Sequence, residues 1–105
     1  MEEPAAPAQE WHDFCSLDEI PEGGVLMREN FLVYRNGPQV TCMQNWCPHR
    51  GYPFDGSPVV DGVLICAYHC YEFRLDTGEC LTDSGMPLNS YPVRIREGRV
   101  EVKLK

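Results

Sequence analysis

The chain is short of positive charge. Nine Lys and Arg stand against sixteen Asp and Glu, for a formal net charge of −7 over 105 residues. So acidic a surface argues against nucleic acid or an anionic membrane as partner and favours collision with a basic face, with plain solubility the simpler use of the charge. The sequence also lacks a run of about eighteen apolar residues, the length that a membrane-spanning helix needs. Its first ten residues, MEEPAAPAQE, are acidic and carry no apolar stretch. They do not read as a signal peptide, and a cytoplasmic location is expected. No segment keeps a helical repeat, and no internal repeat is evident. Histidine is scarce, with three in all, and neither an activated nucleophile nor a general-base pair is readable. The chain is expected to be no enzyme in its own right. Its length gives room for one domain, and a domain this small gains from a metal staple.

What is present is a set of soft ligands. Cys47-Pro48-His49 brackets one residue and Cys66-Ala67-Tyr68-His69 brackets two, with sixteen residues between His49 and Cys66. Two thiolates and two imidazoles suit zinc or iron–sulfur chemistry. Structural zinc usually takes a C-x2-4-C knuckle followed by H-x3-5-H, whereas each pair here mixes a cysteine with a histidine. For a 2Fe-2S centre the mixed set has a physical rationale. Two neutral imidazoles in place of two thiolates leave the oxidised unit roughly neutral, so an electron is added more easily than in an all-thiolate centre. A histidine ligand that reaches the surface is also a short exit path for that electron.

The pattern C-x-H-x16-C-x2-H resembles the Rieske 2Fe-2S signature, as do CPHRG at Cys47 to Gly51, CAYHCYEF at Cys66 to Phe73, and DTGE at Asp76 to Glu79. The resemblance runs from about Trp11 to Leu104. It implies that Cys47 and Cys66 ligate one iron and that His49 and His69 ligate the other. It also implies a covering loop that carries a proline, for which Gly85-Met86-Pro87-Leu88 is in place. The implied fold is all-β: stacked antiparallel sheets with a small cluster-binding subdomain. Residues 1–10 are expected to be a disordered tail. Residues 11–105 are expected to form a single Rieske domain with cluster-binding loops at 45–54, 66–73 and 84–88.

Several residues around the loops depart from respiratory relatives. Tyr52 and Tyr68 occupy the positions of the two cysteines that form a loop-clamping disulfide there. Tyr71 and Phe73 occupy those of a serine and a tyrosine that donate to sulfur. Fewer donors stabilise the reduced state less, so the expected potential is near the low end of the Rieske range, on the order of −150 mV. Cys70 replaces a common glycine, either as a thiol beside the cluster or as a small buried hydrophobe. Arg50 is either a charge beside the ligand His49 or a solvated side chain. With Gly51, Tyr68, Tyr71, Met86 and Pro87 these residues make up the expected cluster cover. Trp46, Tyr52, Pro53, Tyr68, Tyr71 and Pro87 form either an apolar collar or ordinary loop packing. Cys15, Cys42, Cys70 and Cys80 are expected as buried thiols, since a reducing compartment disfavours disulfides.

Turn signals divide the rest into short strands. Trp11 to Leu17 reads as an edge strand. Asn30 to Arg35 and Gln39 to Gln44 flank Asn36-Gly37, and Pro58 to Val60 and Val63 to Cys66 flank Asp61-Gly62. Tyr71 to Leu75 precedes a turn, and Tyr91 to Arg96 meets Val100 to Leu104 across Glu97-Gly98. Expected core residues are Val33, Val40, Ile65, Phe73, Val93, Ile95, Val100 and Val102. The resemblance implies a soluble electron carrier between a flavin-containing ferredoxin reductase and a terminal Rieske non-haem iron oxygenase, or another redox enzyme, acting on an aromatic or similar compound. Its length and its one remaining histidine, His12, argue against an oxygenase large subunit. The alternatives are a small Rieske-like subunit of an assimilatory nitrite reductase and a zinc-stapled interaction module.

Overall fold

The computed structural model describes residues 11–48, 51, 53–54, 56–66, 71–82 and 86–103. The expected tail, 1–10, lies outside the described residues, as do His49, Arg50, Tyr52, Tyr68, His69, Cys70 and Gly85. Among the described residues ten strands appear in order: β1 Trp11–Ser16, β2 Val25–Arg28, β3 Phe31–Asn36, β4 Gln39–Gln44, β5 Val59–Val60, β6 Val63–Ile65, β7 Glu72–Arg74, β8 Ser90–Tyr91, β9 Val93–Arg96 and β10 Arg99–Lys103. A 3-10 turn over Leu17–Glu19 follows β1, capped by Ser16 and Glu19 in a capping box. The strands make three antiparallel sheets, ordered β1-β10-β9, β2-β3-β4-β8 and β5-β6-β7. The fold is all-β, as the sequence implies.

Two hydrophobic clusters lie on the two faces of the four-stranded sheet. Alternation along a strand sends successive side chains to opposite faces. From β3 and β4, Leu32, Tyr34 and Met43 join one cluster with Phe54, Leu64, Phe73 and Leu75. Val33 and Cys42 join the other with Phe14, Ile20, Val100 and Val102. Leu32, Val33 and Tyr34 are therefore all buried in succession, because this sheet is covered on both sides. In β1 a bulge between Asp13 and Cys15 lets Phe14 and Cys15 both turn inward.

The hairpins follow their turn residues. Asp61-Gly62 and Glu97-Gly98 both have positive φ at both positions, the type I′ pattern that matches strand twist. In the β3–β4 hairpin Asn36 pairs with Gln39, so the two-residue loop is Gly37-Pro38 rather than Asn36-Gly37. The positive φ falls on Gly37 alone, as in a type II′ turn. Of the expected core, Val33, Phe73, Val100 and Val102 are buried, while Val40, Ile65 and Val93 are half-buried. Ile95 is 38% exposed. It sits opposite Val100, but on β9, an edge strand of its sheet.

Candidate metal centre

Cys47 leaves the end of β4 and Cys66 leaves the end of β6. Both are fully buried, and both belong to the cluster that includes Phe54, Phe73 and Leu88. The chain closes the base of each loop with backbone contacts. Trp46 bridges Pro53 across the first loop, and the Gly51 N–H donates to the Cys47 carbonyl at 2.7 Å. Gly51 has φ +78°, a left-handed conformation that glycine takes without strain. Across the second loop the Cys66 N–H donates to the Tyr71 carbonyl at 2.8 Å. Each closure holds its cysteine at the foot of a short loop whose histidine, by sequence, comes two or three residues later.

The loop before β8 comes to the same place. Leu88 is buried in the cysteine cluster, Met86 is half-buried and Pro87 is exposed. The DTGE turn receives this loop. The Leu88 N–H donates to the Gly78 carbonyl at 2.8 Å, and the Gly78 N–H donates to the Arg74 carbonyl at 2.7 Å. A Cβ on Gly78 would stand 2.8 Å from the Leu88 carbonyl oxygen and 3.2 Å from the Met43 sulfur. The motif thus needs glycine for close backbone approach as well as for its φ of +84°. Asp76 forms an ion pair with Arg74 at 2.7 Å, and the Glu79 N–H donates to the Thr77 hydroxyl at 3.2 Å.

Among the expected cover residues, Tyr71 packs against the cysteine cluster, its ring 6.5 Å from that of Phe73. Trp46 instead lines an open depression of about 730 Å³ with Phe14, Phe31 and Tyr91. Pro53 is exposed. Among the described residues the cysteine cluster is walled by Phe54, Phe73, Tyr71 and Leu88; Tyr52 and Tyr68 of the expected collar lie outside them. Of the other thiols, Cys15, Cys42 and Cys80 are buried. Burial pushes the Cys42 thiol up to about 12. Burial, and then the charge of Glu19, raise Cys15 as well.

Two polar residues before Cys47 were not singled out by sequence. Gln44 and Asn45 are 2% and 6% exposed. Asn45 donates from its N–H to the Asn30 carbonyl at 3.1 Å and from Nδ2 to the Glu29 carbonyl at 3.0 Å. It thereby holds a β2–β3 turn in which Glu29 has φ +56°, a conformation that costs a non-glycine residue about 1–2 kcal/mol. Asparagine and glutamine at a strand end look like solvent-facing residues, and no spacing rule marks them.

Two soft donors, shielded from water within one apolar cluster, suit the sulfur half of a mixed thiolate–imidazole set. The imidazole half falls on His49 and His69, outside the described residues.

Comparison with known proteins agrees with this geometry. The family model described as "Rieske [2Fe-2S] domain" matches residues 10–92. The vanillate O-demethylase oxygenase subunit of a Pseudomonas species is 36% identical over 91 residues, covering 82% of this chain and 25% of that protein. The chain thus spans about a quarter of that relative's length. The anthranilate 1,2-dioxygenase ferredoxin subunit of Burkholderia cepacia is 29% identical over 105 residues, covering 94% of this chain and 96% of that one. In a solved complex of reduced oxygenase and oxidised ferredoxin of carbazole 1,9a-dioxygenase, one chain superposes with a TM-score of 0.77 at 25% identity, covering 90% of this chain and 94% of that chain. With the paired motifs, the two buried cysteines at the feet of closed loops and a family match over most of its length, the chain belongs to the Rieske [2Fe-2S] domain family.

Proposed function

We propose that this chain is a one-electron carrier of the ferredoxin type, with Cys47, His49, Cys66 and His69 as the cluster ligands. In this reading a flavin-containing ferredoxin reductase reduces it, and a terminal Rieske non-haem iron oxygenase acting on an aromatic or related compound is its acceptor. The carrying observation is the extent of the likeness: the ferredoxin subunit of anthranilate 1,2-dioxygenase is covered over 96% of its length. The family cofactor, when bound, takes up and gives back one electron. The chain's own residues supply the rest. Cys47 and Cys66 present sulfur inside an apolar cluster. Phe54, Phe73 and Leu88 exclude water from them, and the closed loop bases fix where each ligand pair starts. Phe73 offers no hydroxyl to sulfur, which supports a potential low for a Rieske centre. Catalysis belongs to the acceptor in this account, and the location is cytoplasmic. Among the described residues no helix is long and apolar enough to cross a membrane. The family match leaves the zinc-stapled module without support.

A second reading has one observation in its favour. Identity is higher to the vanillate O-demethylase oxygenase subunit, at 36%, so these residues also suit the electron-accepting domain of an oxygenase. Reconstitution separates the two. Purified chain, reductase and a Rieske oxygenase are mixed with NADH and an aromatic substrate. Turnover that requires the chain, in proportion to its concentration, supports the carrier. No stimulation, with the reduced chain failing to reoxidise in the presence of the oxygenase, refutes it. A stoichiometric complex with a sirohaem subunit would point instead to a nitrite reductase.

A further inference from the structure

Gln44 is an uncharged amide with 2% exposure, at the end of β4. Pairing between β4 and β8 runs from Cys42↔Tyr91 to Met43↔Ser90. Gln44 carries it one step further in two ways. Its N–H donates to the Asn89 carbonyl at 3.0 Å, and its side-chain Oε1 accepts from the Asn89 N–H at 2.8 Å. The other end of the same amide donates from Nε2 to the Trp46 carbonyl at 2.9 Å. Trp46 is the base of the first ligand loop, next to Cys47. Asn89 follows Leu88, the residue that the covering loop buries beside Cys47 and Cys66.

We infer that Gln44 is a positioning residue for the cluster: its side-chain amide sets the distance between the first ligand loop and the covering loop. The inference rests on the ligand assignment proposed above. An amide suits this place because the two backbone groups that it joins have opposite needs. The Trp46 carbonyl needs a donor and the Asn89 N–H needs an acceptor. A carboxylate serves the second and repels the first, and a hydrocarbon serves neither. Gln44 is buried, so losing the amide takes from both backbone groups the partner that the fold gives them. The cheapest relief is for one loop to move toward water, and both loops border the buried sulfurs. A change in loop spacing alters the apolar cover and the local dielectric around the ligands, which are levers on potential.

The test compares Gln44→Met, close in shape and without either hydrogen bond, with Thr41→Val. Thr41 donates from Oγ1 to the Leu75 carbonyl at 2.6 Å, a side-chain-to-backbone bond from the same strand that touches neither loop. The readouts are the midpoint potential, the EPR line shape of the reduced protein and the rate of cluster bleaching in chelator. Gln44→Met is expected to shift the potential and the line shape, and to speed bleaching about thirtyfold, the factor for two lost hydrogen bonds. Thr41→Val is expected to keep the parent's potential and line shape. If Gln44→Met yields no loaded protein, Gln44→Glu is used. It keeps the shape and the acceptor, sets two acceptors face to face at Trp46, and should shift the same spectrum. Parent-like potential and line shape in the variant would overturn the inference, as would equal shifts in Thr41→Val. A parent without any Rieske signal brings down the ligand assignment itself, and the inference with it.

Discussion

Replacing Gly78 by alanine measures how tightly the loop before β8 is held against the DTGE turn. Two costs add. Alanine at φ +84° sits in the left-handed region, at about 1–2 kcal/mol. Its Cβ would also stand 2.8 Å from the Leu88 carbonyl oxygen. That atom is backbone in a loop pinned by the Leu88 N–H bond to the same glycine, so it cannot swing aside as a side-chain tip would. Forcing such an overlap costs about 1–3 kcal/mol. The total, about 2–5 kcal/mol, is a large part of the stability of a small domain. Gly98→Ala is the control. Its φ is +77° with nothing within 4 Å of the added Cβ, so only the backbone cost of about 1–2 kcal/mol applies. Urea unfolding of loaded protein is the assay. With a slope of about 1–3 kcal/mol per molar, Gly78→Ala should lower the midpoint by at least about 0.7 M relative to the parent, and clearly more than Gly98→Ala does. Equal midpoints for the two variants would refute the close-approach argument and leave glycine there for its backbone conformation alone.

Other outcomes follow from the same geometry. Acid should destabilise the fold through carboxylates held below their ordinary range: Asp13 by its hydrogen bond to Arg99, Glu19 by the Ser16 N–H and Asp76 by Arg74. Because the folded values are depressed, that stability is present above the unfolded values and is lost as pH falls below about 4. The slope of melting temperature against pH there should be shallower in Asp13→Asn, and an unchanged slope would remove the Asp13–Arg99 pair from the explanation. These groups are exposed, so the effect should shrink with added salt. Cys42, pushed up to about 12 by burial, should resist alkylation by iodoacetamide at neutral pH until the protein is unfolded. Prompt labelling of Cys42 in the folded state, read by peptide mass spectrometry, would show that the second core cluster opens. If an imidazole ligand is exposed at its distal nitrogen, the potential should fall at alkaline pH, and a flat potential would deny that exposure.

Sequence legibility varied with how many faces of a strand are covered. Asp61-Gly62 and Glu97-Gly98 located two hairpins because each turn needs positive φ at two positions, and these residues take it. β2, Val25–Arg28, was not legible: Val-Leu-Met-Arg shows no alternation, and the strand is half-buried along most of its length. In β6 the run Val63-Leu64-Ile65 is apolar throughout, so its phase could not be read. Ile65 was expected inside, whereas Leu64 is the residue at 0% exposure. Leu32-Val33-Tyr34 misled in the same way, since a sheet covered on both faces buries consecutive residues. Cys47 and Cys66 stood out because they come with specific neighbours, and the fold puts both in one buried cluster. Gln44 was not, because its role depends on Asn89, 45 positions away along the chain.

The central claim is that four side chains, two sulfur and two nitrogen, hold one cluster. The direct measurement is EPR of the dithionite-reduced chain from iron-replete cells, alongside iron and acid-labile sulfide analysis, for the parent, His49→Ala and His69→Ala. Two irons and two sulfides per chain are expected, as in the family's 2Fe-2S centre, with a Rieske signal in the parent that either substitution abolishes. A colourless parent with no iron and no signal, or single variants that keep the parent's spectrum, would contradict the account.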